Sequence, residues 1–236
     1  PSSDSTRTSG SGFIRGGREG KGAVMQPEKN AFSWSEFYGH RKEIRKIYPS
    51  VYKLALKKKL LDVVTAELRG KEKILDVGAS TRRLGERIKK KHSAVTYKTM
   101  DIDRAKEHDY YGLDEIKEKF DVIVLSEVIE HISFQEGIDL LKRLNTLLLP
   151  GGRLIVSVPN IHHPNAYLRD SDHKTPYSYE VLGAALINAG LKVKRLYRIY
   201  NDQFVRRFIR LYLMSWLHRY LDVDFAKHVA AVAEKP

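Results

Sequence analysis

Cysteine is absent from the 236 residues of this chain. Disulfide bonds and thiolate metal sites are therefore excluded, and the absence fits a reducing compartment, so we expect a cytoplasmic location. The sequence also has no uninterrupted apolar run of about 18 residues, the length that a helix needs to cross a bilayer. A membrane-spanning helix is therefore not expected.

Acidic residues are outnumbered, with 29 Asp and Glu against 42 Lys and Arg, which gives a formal net charge of +13. A basic chain attracts anionic partners such as nucleic acid, an anionic membrane surface or an acidic small molecule. The basic residues are scattered in short groups, for example at 57–59, 82–83 and 89–91. Scattered charge is typical of a solvated surface, so nucleic acid is an allowed partner but not the favoured one.

Residues 1–28 are rich in Ser, Gly, Arg and Thr and have little apolar periodicity. We expect a disordered leader there, partly added by cloning, with Met25 a candidate native start. The remaining residues, 29–236, suit one domain.

Apolar periodicity predicts two N-terminal helices between residues 31 and 69, the second beginning at Pro49-Ser50 and running to Leu68. From residue 73 onwards, strand and helix patterns alternate. The predicted strands are 73–77, 94–100, 110–111, 120–125, 154–158, 191–200 and 227–234, and the predicted helices are 84–91, 134–148, 179–189 and 204–221. This alternation predicts an α/β fold with a seven-stranded, mostly parallel sheet and helices on both faces. A helical insertion, at about residues 202–222, precedes the last strand.

Ligands of such sheets lie beyond the carboxyl ends of the strands. Gly78 follows the first predicted strand, where a residue without a side chain lets the backbone approach a ligand. Asp76 could order that turn or accept a hydrogen bond from a ligand ammonium. Asp101, after the second strand, could accept both hydroxyls of a ribose, and Asp103 lies two residues further on.

The segment Asp76-Val77-Gly78-Ala79-Ser80-Thr81-Arg82 resembles the first motif of class I S-adenosylmethionine (SAM)-dependent methyltransferases, Asp/Glu-x-Gly-x-Gly-x-Gly. The first glycine is kept, while Ser80 and Arg82 replace the second and third. Further stretches match in the same order: Asp101, 120–132 with its Glu-His-Ile, 149–154 followed by 158–160, and 172–176 followed by 188–191. The last pattern is similar to the branch that includes ubiquinone-biosynthesis-type and many small-molecule methyltransferases.

The resemblance implies a Rossmann-like fold, SAM as cofactor with S-adenosylhomocysteine (SAH) as its product, and methyl transfer to a small, apolar or anionic acceptor. It places Asp76 and Gly78 at the methionine end and Asp101 at the ribose. Residues 111–114 would border the adenine, and Ser126 with Glu127 would lie beside the methionine. The predicted cofactor-binding residues are Asp76, Gly78, Ala79, Ser80, Asp101, Ile102, Leu113, Asp114, Ser126 and Glu127.

Histidines supply the candidate catalytic groups, because methyl transfer sometimes requires removal of a proton from the acceptor. The candidates are His131, His162 and His163, with His173 and Glu127 as further bases. Each also has a structural interpretation: His131 could pack or cap its helix, and His173 could order the turn that begins at Asp172. A metal site built from the His pair with Asp172 and His173 is the less favoured alternative, so no metal is expected.

The predicted helix at 204–221 has a very wide apolar face and four arginines on its polar side. We first interpret it as a lid over a hydrophobic acceptor. A homodimer interface, contact of residues 203–221 with an anionic membrane, and plain core packing are the alternatives.

Two other functions remain open. The net charge favours an RNA methyltransferase, although no RNA-binding module and no Asn/Asp-Pro-Pro-Tyr signature after the fourth strand is present. The altered glycines allow a non-catalytic, methyltransferase-like scaffold that has lost SAM binding.

Overall fold

Seven strands form one mixed sheet in the computed structural model, which describes residues 32–236. The prediction for residues 1–28 lies outside this range. The strands are β1 (Ala55–Lys57), β2 (Lys73–Val77), β3 (Thr96–Met100), β4 (Phe120–Ser126), β5 (Leu148–Pro159), β6 (Lys192–Ile199) and β7 (His228–Glu234). The helices are α1 (Trp34–Ile47), α2 (Leu60–Ala66), α3 (Arg83–Lys91), α4 (Phe134–Leu147), α5 (Tyr179–Asn188), α6 (Phe204–Phe208) and α7 (Ser215–Tyr220).

The strand order across the sheet is β1-β6-β7-β5-β4-β2-β3. All neighbouring strands are parallel except β7, which runs antiparallel to both β5 and β6. The chain passes from β2 to β3 on one side and then returns to place β4 on the other side of β2. Ligands of open α/β sheets bind at such a reversal, so the topology directs attention to the carboxyl ends of β2, β3 and β4.

The core lies on both faces of the sheet. Residues of β4 point alternately to opposite faces, and Val122, Ile123, Val124 and Leu125 are all fully buried, as expected for a strand covered on both sides. Helices α2 and α3 contact each other, and α5 contacts both α1 and α4. The fold class expected from the sequence is therefore confirmed.

Helix starts follow local side-chain chemistry. Ser133 caps α4 by accepting a hydrogen bond from the Glu136 N–H, and the Glu136 side chain accepts one from the Ser133 N–H. Ser178 caps α5 in a similar way, through the N–H of Val181. These caps fix where each helix leaves the carboxyl edge of the sheet.

Two element predictions were wrong. The second N-terminal helix does not begin at Ser50, because residues 51–53 form one 3-10 turn and Ala55–Lys57 pair with β6; only Leu60–Ala66 are α-helical. Residues 110–111 are not a strand, since Tyr110 makes a single bridge to Met100. The sheet still has seven strands because β1, which was not predicted, pairs with β6 at the opposite edge.

The segment before β7 is helical but not one continuous helix. Residues Ile209–Leu213 form a π turn between α6 and α7. Its large apolar side chains are exposed, with Phe204 at 71%, Trp216 at 68% and Tyr220 at 81%. Plain core packing of this segment is therefore excluded. None of the helices among residues 32–236 combines the length and the apolar character needed to cross a membrane.

Asp224 ties the end of this segment to the sheet. Its buried carboxylate accepts hydrogen bonds from Arg198 at 3.0 Å, Tyr200 at 2.9 Å and Asn160 at 2.9 Å. A buried charge is tolerated only when it is paired and hydrogen-bonded. This contact therefore holds β5, β6 and the entry to β7 together at the carboxyl edge.

Candidate functional site

The turn after β2 approaches the end of β3 through backbone contacts. The N–H of Gly78 donates to the carbonyl of Met100 at 2.9 Å. Gly78 has φ +71°, and a Cβ built there would lie 2.3 Å from Cγ2 of Val128, in the loop after β4. Only glycine fits both constraints. The ends of β2, β3 and β4 thus meet at Gly78.

Asp101 joins the same turns. Its carboxylate accepts hydrogen bonds from the N–H groups of Ser80, at 2.8 Å, and Asp103, at 3.0 Å. Burial alone would raise the pKa of Asp101, but these two hydrogen bonds, together with the nearby positive charges of His108 and Lys106, lower it overall. A carboxylate has about four lone-pair positions, so capacity remains for the two hydroxyls of a ribose.

Ser80 has φ +44°, a conformation that favours glycine. It stands where the first motif of the resembling family has its second glycine, so the backbone geometry is kept although the residue has changed. Arg82, at the third glycine position, directs its guanidinium to the carbonyl of Glu107 at 3.1 Å and to Asp109 at 4.0 Å. Its side chain is therefore anchored at the loop after β3.

Asp76 lies at the end of β2 and is almost completely buried. The Tyr97 hydroxyl donates to its carboxylate at 2.5 Å, and the Tyr97 ring lies so close to Gly85 that a Cβ there would be 2.5 Å from it. Burial raises the pKa of Asp76 to about 6; the Tyr97 hydrogen bond opposes the rise and the negative charge of Asp101 adds to it. Asp76 therefore orders the interior of the site.

Ser126 and Glu127 lie at the end of β4. The hydroxyls of Ser126 and Ser157 are 2.9 Å apart, and Ser157 donates to Glu127 at 2.9 Å. Glu127 adopts φ +54°, a strained value for a residue with a side chain, and strain of this kind clusters at functional sites. Its other carboxylate oxygen lies 3.0 Å from Nδ1 of His228, the first residue of β7.

Two cavities share Glu127 and His228. One, the cofactor-side cavity, has a volume of about 410 Å³ and is bordered by Leu84, Arg87, Ser126, Glu127 and His228. The other, the histidine-lined cavity, has a volume of about 420 Å³ and is bordered by Glu127, His131, His163, His173 and His228. Glu127 and His228 thus line two neighbouring spaces at the carboxyl edge of the sheet.

The three candidate catalytic histidines do not all border the same cavity. His131 lies on a 3-10 turn before α4, with its ring 4.9 Å from that of His173. His163 contacts the ring of Phe225, and burial together with the charges of Arg210 and Lys227 lowers its pKa. His162 borders a separate cavity instead.

The structure brings some of the predicted cofactor-binding residues together, but not all of them. Gly78, Ala79, Ser80, Asp101 and Ile102 lie in the two joined turns, while Ser126 and Glu127 follow the adjacent strand. Leu113 and Asp114 lie apart on a 3-10 turn, where Asp114 pairs with Arg143 of α4 at 3.2 Å.

Three residues of the site were not singled out from the sequence as site residues. Glu130 is the acid of the Glu-His-Ile segment and is completely buried, so its position in that motif was an available signal. Ser157 and His228 come from β5 and β7, and no local pattern distinguishes them from ordinary strand residues.

The site fits SAM in two respects. A glycine that tolerates no Cβ provides close backbone approach after β2, and Asp101 keeps lone pairs that could bind a ribose.

Comparisons with known proteins agree with this geometry. The family described as "Methyltransferase domain" matches residues 47–196, more than half of the chain. No curated protein sequence matches the chain.

Solved structures of SAM-dependent methyltransferases share the fold. One from Archaeoglobus fulgidus is 18% identical, with a TM-score of 0.57, covering 74% of this chain and 94% of its own. One from Mesorhizobium loti is 15% identical, with a TM-score of 0.52 and coverages of 74% and 96%. The Burkholderia thailandensis 1,6-didemethyltoxoflavin-N1-methyltransferase, with bound 1,6-didemethyltoxoflavin and SAH, is 14% identical, with a TM-score of 0.54 and coverages of 85% and 86%.

Ser80→Gly is expected to raise the free energy of unfolding by about 1 kcal/mol, because a side chain in the left-handed region is strained. Urea denaturation followed by circular dichroism measures the change. Ser93→Gly, at an exposed loop position without positive φ, is the control and should be slightly destabilising. A loss of stability in Ser80→Gly would contradict the strain.

Asp76→Asn is expected to change how stability depends on pH. Folded protein retains the Asp76 proton up to about pH 6, whereas the unfolded chain releases it near its usual pKa of about 4. Stability therefore falls as the pH rises through this window, by about 3 kcal/mol for this group. Asp76→Asn should remove that fall and be more stable than wild type at pH 7, measured by urea denaturation at pH 4 and pH 7.

Asp109→Asn is the matched control. Burial would raise the pKa of Asp109, but hydrogen bonds from Lys98 and Thr99 lower it, so this variant should lose stability at pH 7. If Asp76→Asn differed from wild type by the same amount at both pH values, the buried-carboxylate account would be wrong.

Proposed function

Because this chain belongs to the methyltransferase-domain family, we propose that it transfers the methyl group of SAM to a small acceptor bound in the histidine-lined cavity. The observation that carries the proposal is that this cavity and the cofactor-side cavity share Glu127 and His228. The two spaces are thus neighbours, and the methyl group would face the acceptor directly where they meet, beside this pair.

The ribose would be held by Asp101, and the methionine end would lie along Gly78 and Ser126. SAM supplies an electrophilic methyl group on a sulfonium. The acceptor atom forms a bond to that carbon as the carbon–sulfur bond breaks, and SAH leaves. Correct alignment of the reacting atoms accounts for much of the rate in such a displacement.

The walls of the histidine-lined cavity suit a polar acceptor, because Arg169 and Lys227 border it together with the acidic residues Glu127 and Asp170. Of the histidines there, His163 accepts a hydrogen bond at Nδ1 from the N–H of Asn165 at 3.3 Å, which places its proton on Nε2. His163 is then suited to donate a hydrogen bond to the acceptor. His162 has no role in the proposed reaction, since it borders another cavity.

Binding of SAM and SAH, measured by calorimetry, tests the cofactor site. We expect micromolar binding by wild type and at least about tenfold weaker binding by Asp101→Ala, which loses charged hydrogen bonds to the ribose worth more than 1.4 kcal/mol.

Asp103→Ala is the matched control for that measurement. It removes a carboxylate two residues away but keeps the backbone N–H that donates to Asp101, so it should bind like wild type. If folded wild type bound neither SAM nor SAH, the enzyme assignment would fall, and a non-catalytic scaffold would replace it. Salt-sensitive binding of RNA by the same protein would favour an RNA acceptor instead.

We further propose that the segment from Phe204 to Leu221 rests on an anionic membrane surface, so that apolar acceptors reach the site from the lipid. Its exposed aromatic side chains lie beside Arg206 and Arg219, and an apolar cavity of about 430 Å³ between the segment and β1 is bordered by Lys57, Lys58 and Arg207. Exposed aromatic residues mixed with basic ones are the pattern of helices that lie in a membrane interface.

Sedimentation with phosphatidylcholine vesicles, with and without phosphatidylglycerol, tests this contact. Binding should require the anionic lipid, weaken at high salt, and fall at least tenfold in a Phe204→Ala/Trp216→Ala variant, because each side chain contributes about 1.5 kcal/mol or more of apolar burial. Leu149→Ala, which removes an exposed apolar side chain elsewhere, is the control. Absence of vesicle binding, or equal binding by the double variant, would overturn the proposal and leave a lid or a dimer interface.

A further inference from the structure

We infer that Glu130, His131 and His173 form a binding site for one divalent transition-metal ion, open toward the histidine-lined cavity. One potential ligand atom from each of these three side chains lies within 4.8 Å of the others. Two imidazoles and one carboxylate, with a further position open to solvent, are the ligand set of catalytic divalent-metal sites. With two imidazole nitrogens among its three ligands, the site should bind Zn²⁺ more tightly than Mn²⁺ or Mg²⁺.

The buried carboxylate of Glu130 is the first observation that points to a cation. Glu130 is 0% exposed, and among the described residues neither of its carboxylate oxygens has a hydrogen-bond partner. A buried carboxylate without a donor is costly and needs an explanation. Its neighbour Glu127 carries the same charge and increases that cost, whereas a bound cation would remove it.

The ring of His173 supplies a second, independent observation. Its Nδ1 lies 2.6 Å from the carbonyl oxygen of Tyr167. A carbonyl only accepts hydrogen bonds, so Nδ1 carries the proton and the lone pair of Nε2 is free. Metal-binding histidines are typically oriented in this way, by a hydrogen bond from the nitrogen that does not bind the metal.

The backbone holds the two parts of the cluster together. Lys174 and Thr175, which directly follow His173, donate their N–H groups to the carbonyl of Glu130 at 2.7 and 3.0 Å. The Thr175 hydroxyl donates to the carbonyl of Ile132 at 2.7 Å. The loop that carries His173 is therefore fixed to the turn that carries Glu130 and His131, and the ligand positions are set before an ion arrives.

This inference rests on the proposed function for its role in the reaction, though not for the binding of the ion. An ion here would face the acceptor, and a hydroxyl bound to it would lose its proton more readily. The proton passes to solvent, the oxygen forms a bond to the methyl carbon, and the carbon–sulfur bond breaks. The substrate class would then be an acceptor with a hydroxyl group.

Calorimetric titration of the full chain with Zn²⁺ and with Mn²⁺ tests the site. We expect one ion per chain, bound at least about 100-fold more weakly by Glu130→Gln and by His173→Ala, because loss of a ligand should cost at least as much as loss of an outer-shell partner. His92→Ala, which removes a histidine at the end of α3, is the control and should bind like wild type.

The melting temperature distinguishes loss of the metal site from misfolding of the variant. Glu130→Gln keeps the side-chain shape and removes the cost of burying an ionisable carboxyl, so in chelator it should melt at a higher temperature than wild type, while added metal should no longer stabilise it. The inference is overturned if wild type binds no ion or if both ligand variants bind as wild type does. SAH binding in chelator is measured in parallel: its loss in wild type would sink the proposed function, whereas loss of metal binding alone would sink only the metal site.

Discussion

The site depends on how the chain turns as it leaves the parallel strands. Gly78, Ser80 and Glu127 all adopt positive φ, and they follow β2 or β4 directly. Left-handed turns at these positions bring backbone N–H groups close to Asp101 and place Glu127 between two cavities. Ser80 and Glu127 carry side chains, so positive φ strains their backbone. The hydrogen bonds that they make with Asp101 and Ser157 offset this strain.

Much of this arrangement could be predicted from the sequence, because the relevant signals are local. The apolar run of β4 and the Ser133 cap of α4 are determined within a few residues. Asp76 lies at the end of a strand that its own composition reveals, and Gly78 and Asp101 follow such strands. Ser80 shows where a motif can mislead. The glycine pattern is broken in sequence, but the backbone conformation that the glycine serves is retained.

The remaining features depend on contacts between distant parts of the chain. The residues around β1 have the spacing of a helix, so the local sequence does not predict a strand there. Only the pairing of β1 with β6, about 140 residues later, makes it a strand. The cluster of Glu130, His131 and His173 is similar, since helix α4, strand β5 and an irregular loop separate the last residue from the first two. Hydrogen bonds from the N–H groups of Lys174 and Thr175 to the carbonyl of Glu130 bring His173 close to the other two residues. The spacing of these residues in the sequence does not predict those bonds.

The distribution of charge links the site to its substrates. A chain with a net charge of +13 nevertheless collects Asp76, Asp101, Glu127 and Glu130 at one edge of its sheet. That concentration suits a sulfonium and a divalent cation, while positive charge borders both spaces, with Arg87 at the cofactor-side cavity and Arg169 and Lys227 at the histidine-lined cavity. The arginines of the exposed helical segment lie on another part of the same edge. We propose that the positive charge of the surface attracts anionic partners, while the carboxylates at the carboxyl edge attract the sulfonium of SAM.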